Sequence, residues 1–257
     1  MKRAILLGAI TILCIWGFAA SNVYASIIVD GNLGDWGVTP GAYGASDWVP
    51  NSGIIYTVED QHGDISTFLG PGYGGQKFDA EAMYGFSENG YIYGAIVTGF
   101  PENGYSTGGI DYYAGDILFN LGPGAQYGLE TTGANAGKLY KNPSWNTSPY
   151  WGGITDPTTM KDGTGEYIGL VDEFVYLHTY VGAGDSNDHW VMEMKIPESY
   201  FGSDWDKGGI VHWTETCGND AIDLQIPDPT QTPEPATVSL LGMGLFGVAG
   251  LLRKKKR

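Results

Sequence analysis

The chain has 257 residues, 29 acidic and 13 basic, for a formal net charge of −16. Seven basic residues belong to the two ends, so residues 26–228 keep only six lysines and no arginine. Phosphate backbones would be repelled, which argues against a nucleic-acid partner. With only two cysteines, Cys14 near the start and Cys217, no disulfide framework is expected.

At the N-terminus, Lys2 and Arg3 precede an apolar run over residues 4–20 and the small-residue site Val23-Tyr24-Ala25. This layout predicts a signal peptide over residues 1–25, cut by signal peptidase after Ala25. Cys14 follows Leu13 rather than a small residue, which argues against lipoprotein processing.

Residues 26–225 are read as one secreted domain. Its 41 glycines, 13 prolines and 17 tyrosines, counted over the whole chain, describe short strands joined by turns. In chain order the expected strands cover residues 54–59, 80–87, 91–100, 116–121, 174–181, 190–196, 211–216 and 221–224. The clearest alternates Trp190, Met192, Met194 and Ile196 with Val191, Glu193 and Lys195. Glu88-Asn89-Gly90 reads as a hairpin turn. Without intervening helical periodicity, the set predicts an all-β fold, a single antiparallel β-sandwich. Residues 122–165, rich in Gly, Asn and Thr, are expected as a long loop or decorated hairpin, and residues 226–235 as a Pro-rich linker.

The segment Val29-Asp30-Gly31-Asn32-Leu33-Gly34-Asp35-Trp36 resembles the opening of family-nine carbohydrate-binding modules. Residues 78–84, 211–214 and 217–220 are similar to segments of secreted domains that carry sorting tails. The resemblance implies a β-sandwich more firmly than it implies a ligand.

No catalytic set is recognised. Gly104-Tyr105-Ser106-Thr107-Gly108 fits a nucleophile elbow in letters only, since Pro101 interrupts the approach and Gly109 is a poor helix start. Asp204, Asp206, Gly209 and Glu215 have part of an EF-hand spacing, but a strand pattern follows. The expectation is therefore a non-enzymatic domain, with a secreted glycoside hydrolase or a purely structural surface component as alternatives.

Candidate sugar contacts are Trp145, Tyr150 and Trp151, whose rings could stack on sugar faces, with Asn142 and Asn146 for the hydroxyls. Asp79 with Glu81, and Asp185 with Asp188, are candidate carboxylates for calcium at the rim of the domain.

At the C-terminus, residues 236–252 are apolar and uncharged, and Arg253, Lys254, Lys255, Lys256 and Arg257 follow. Such a run, about 25 Å as a helix, is just long enough to span a membrane, and the basic cluster marks its cytoplasmic side. Together with Pro233-Glu234-Pro235, this tail resembles the PEP-CTERM sorting domain. The resemblance implies an exosortase partner, membrane anchoring through residues 236–257 before processing, and delivery to the cell surface or an exopolysaccharide matrix. Extracellular polysaccharide is the expected partner of the domain.

Overall fold

The computed structural model describes residues 26–40, 48–58, 74–147, 156–180 and 188–228. The expected signal peptide, Tyr150, Trp151, Asp185 and the sorting tail, from Pro233-Glu234-Pro235 to Arg253–Arg257, lie outside the described residues.

The described chain is all-β. Its strands are β1 (Ile55–Val58), β2 (Ala80–Glu88), β3 (Tyr91–Thr98), β4 (Tyr105–Thr107), β5 (Ile110–Tyr112), β6 (Ile117–Leu121), β7 (Ala125–Leu129) and β8 (Lys138–Lys141). Next come β9 (Trp145–Thr147), β10 (Pro157–Met160), β11 (Glu166–Leu170), β12 (Glu173–Tyr180), β13 (His189–Pro197), β14 (Gly209–Thr214) and β15 (Ala221–Ile226). Helical structure among the described residues is limited to short 3-10 turns.

One antiparallel sheet has the order β1-β2-β3-β13-β12 and another the order β11-β8-β7-β6-β14-β15, with two small pairs, β9-β10 and β4-β5. The β2–β3 turn follows from its residues: Asn89 (φ 53°) and Gly90 (φ 78°) take the two positive φ values that a tight hairpin needs.

Period-two patterning explains the layering. On β2, β3 and β13, Met83, Ile96, Met192 and Met194 join a core cluster that also takes Ile117, Phe119, Val211, Trp213 and Leu224 from the six-stranded sheet. Their sequence neighbours Ala82, Tyr84, Ala95, Val97 and Val191 face a second cluster, with Ile27, Leu33, Trp36 and Trp48. The central strands β2, β3 and β13 are thus buried on both faces, because the segment after residue 26 covers the outer one. Near-continuous apolar stretches such as Ile92–Val97 are the sequence trace of that double burial.

Residues 122–165 depart from the loop reading. β7, β8, β9 and β10 lie there, with β7 and β8 joining the large sheet. These strands are three to five residues long, so they carry little alternation of their own. Pairing with β6 and β11 supplies what local pattern lacks. Gly128 of β7 illustrates this, since a Cβ there would lie 2.2 Å from Met160 Sδ. The expected linker also begins late, because Ile226 closes β15 and is buried.

Candidate functional site

The opening that resembles carbohydrate-binding modules is a structural clasp. Glu193 of β13 is fully buried and its carboxylate accepts N–H groups from Asp30, Gly31 and the Trp36 indole, the last at 2.7 Å. Asp35 accepts the amides of Ile28 and Trp36, and Asn32 accepts that of Gly34. Gly31 sits at φ 80°, and a Cβ there would meet Thr179 Oγ1 at 2.8 Å, so the turn needs glycine. Burial pushes the Glu193 carboxyl up to about 7 even though three N–H groups favour its charged form. Trp36 and Leu33 are consequently core, with no exposed surface for a ligand.

A different region offers space. A polar cleft of about 720 Å³ opens between the segment before β6, the β7–β8 connection and the β9–β10 pair. Tyr113 stands at its rim with a half-exposed ring, its backbone fixed by reciprocal hydrogen bonds with Thr216. Tyr140 of β8 contributes a second ring, tilted against Tyr167 at 5.5 Å. Asn135, Asn146 and Thr159 supply neutral hydrogen-bonding groups, and Asn146 donates to Thr159 Oγ1 at 3.0 Å.

Two carboxyls shape the cleft in different ways. Asp116 is buried and accepts the amides of Thr131 and Met160, at 3.3 and 2.7 Å, tying β6 to the strands around it. Burial nevertheless pushes it up to about 6, with the charges of Glu130 and Asp162 adding to the rise. Glu130 is also raised, chiefly by burial, while Asn135, Lys138 and Tyr140 oppose the shift. The arrangement can hydrogen-bond hydroxyls along one wall and stack a flat apolar face on a tyrosine.

The sequence-derived candidates are scattered. Asn146 lines the cleft. Trp145, next to it on β9, is half-buried with its indole N–H enclosed. Asn142 occupies a turn at φ 52° and its side-chain oxygen accepts the Gln126 amide. Tyr113 and Tyr140 were missed by sequence reasoning, since among 17 tyrosines nothing local marks the two whose backbones border an opening.

The rim carboxylates also move. Asp79 and Glu81 are interior residues, 3% and 2% exposed, because the bulge at Glu81 between Ala80 and Ala82 turns this end of β2 inward. Asp188 is held by Lys77 at 2.6 Å and by His178. Among the described residues no group of three or more His, Cys, Asp or Glu is arranged to hold a metal ion. The partial EF-hand dissolves similarly: Asp204 pairs with Lys141 and Lys207, whereas Glu215 is buried beyond β14. Ser106 lies on exposed β4, hydrogen-bonded to Asp111.

Residues 231–255 match the PEP-CTERM protein-sorting motif. The match takes in Pro233-Glu234-Pro235, the apolar run and the first basic residues of the tail. It indicates exosortase-dependent sorting to the cell surface, with export and a C-terminal membrane anchor before processing. Among the described residues no helix is long and apolar enough to cross a membrane; the tail lies outside them. No curated protein and no solved structure matches the chain, and the likeness of residues 30–36 to family-nine modules gains no support from the comparisons.

Proposed function

We propose that this chain is a sorted surface or extracellular-matrix protein whose domain binds extracellular polysaccharide without processing it. In this reading the two large sheets close as one β-sandwich. Support comes from the core cluster they share and from the Thr57 hydroxyl of β1, which donates to the Asp223 carbonyl of β15 at 2.9 Å. The ligand reading rests on the cleft: its size suits several sugar rings, and its tyrosines and neutral amides are the groups that hold them.

The test is affinity for the host's own exopolysaccharide. Tyr113→Ala should weaken binding about tenfold, roughly 1.4 kcal/mol, without changing the melting temperature. Equal affinity for the variant and the wild type would remove the cleft from the account. A hydrolase is favoured by one observation, the raised Glu130 carboxyl near the charge of Asp162. Release of reducing sugar by the unmutated chain, abolished in Glu130→Gln, would establish that reading instead.

A further inference from the structure

Four carboxyl side chains lie together in the interior where β2 begins and the β14–β15 turn ends. Asp79, Glu81, Glu215 and Asp220 are 3%, 2%, 0% and 2% exposed. Asp220 accepts the amides of Ala80 at 2.6 Å and Ala221 at 2.9 Å, clamping the start of β2 to the start of β15. The Asp79 carboxyl lies beside it. Two ionised carboxylates side by side both lack a donor, and a proton shared between them relieves their repulsion.

The surroundings supply little positive charge. No arginine occurs in residues 26–228, and four of the six lysines there form ion pairs elsewhere: Lys77 with Asp188, Lys141 and Lys207 with Asp204, and Lys195 with Glu173. Lys138 donates to Asn135, and Lys161 lines the polar cleft. From β13, His189 faces Glu81 at 3.3 Å, and Gln76 donates to Glu81 at 2.7 Å. From β12, the buried Tyr176 feels the charge of Glu215. The Cys217 thiol in the same turn is pushed up to about 12 by burial, with Glu215 and Asp220 adding to the rise.

We propose that Asp79, Glu215 and Asp220 form a proton-held latch that fastens the Cys217–Asp220 turn to the start of β2 and loosens when its protons are lost. Buried like charges without counterions repel one another, whereas protonated carboxyls donate hydrogen bonds. Burial holds both Glu215 and Asp220 above the usual carboxylate range. A group raised on closing adds stability that is complete below its open-state value and is lost as pH rises through its closed-state value. Across that window closing takes up a proton, so the closing equilibrium falls about tenfold per pH unit for each such group.

Cys217 reports the latch, because it is buried and lies within the turn. The full chain in detergent, with Cys14→Ser leaving Cys217 as its sole thiol, is labelled with a thiol reagent over a pH series. Each rate is divided by that of the same chain in urea, which removes the thiol's own ionisation. Protection should fall at least about tenfold from about pH 5 to about pH 8. In Asp79→Asn the amide donates permanently to Asp220 in place of the shared proton, so protection should persist to higher pH. Glu215→Gln gives a second reading with the same expected direction. Constant protection of the unmutated Cys217 across the series overturns the proposal. So does full recovery at about pH 8 on adding millimolar calcium chloride, which would show that a cation rather than protons balances the cluster.

Discussion

Replacing Glu193 by glutamine keeps the shape and one acceptor of the clasp while removing its ionisation. Burial raises the carboxyl from its ordinary 4.5 to about 7, so Glu193 contributes stability that is complete below about pH 4.5 and lost as pH rises through about 7. The displacement corresponds to about 3 kcal/mol at 1.36 kcal/mol per unit. That is a large share of a domain stability of roughly 5–15 kcal/mol. Glutamine does not titrate, so the stability difference between variant and wild type should shift by about 3 kcal/mol in favour of the variant between about pH 4.5 and pH 8. Urea titrations at several pH values, followed by tryptophan fluorescence, measure this directly, since Trp36 and Trp48 sit in the cluster under the clasp. Glu193→Ala behaves differently. It strands the Trp36 indole and the amides of Asp30 and Gly31, so it should lie about 3–5 kcal/mol below Glu193→Gln at every pH, since neither variant titrates. A pH-independent difference between wild type and Glu193→Gln would refute the argument that burial outweighs the three N–H donors.

Three further outcomes are expected. Changing Pro233-Glu234-Pro235 to alanines, or deleting residues 253–257, should leave precursor in the host membrane, seen as loss of the mature surface form on fractionated blots. Trp145→Ala should lower stability by about 1–3 kcal/mol while polysaccharide affinity stays unchanged, the reverse of Tyr113→Ala; lost affinity with an unchanged melting temperature would restore Trp145 as a platform. Gly99→Ala should prevent normal folding, because its Cβ would lie 1.5 Å from the Gln76 carbonyl oxygen, and a melting temperature near that of the wild type would contradict this.

The sorting tail was legible from the sequence because its information is linear. A Pro-Glu-Pro triplet, an apolar run and a basic end, in that order, need no fold to be read. The long strands were legible for a related reason: β2, β3 and β13 are eight or nine residues long, enough for a period of two or a continuous apolar run to stand out. β7 to β10 were not, since strands of three to five residues take their conformation from the neighbours they pair with. The side chains of interest depended still more on tertiary structure. Glu193 reads in sequence as the solvent-facing partner of Met192 and Met194, yet residues 27–38 fold over that face and turn it into a buried acceptor. Asp79 and Asp220 stand 141 positions apart, and no local pattern records that a bulge and a turn bring their carboxyls side by side. Local periodicity marked the long strands, and pairing decided the short ones. Which polar groups were shut away from water was decided only when the N-terminal segment and the β14–β15 turn packed against the sheet.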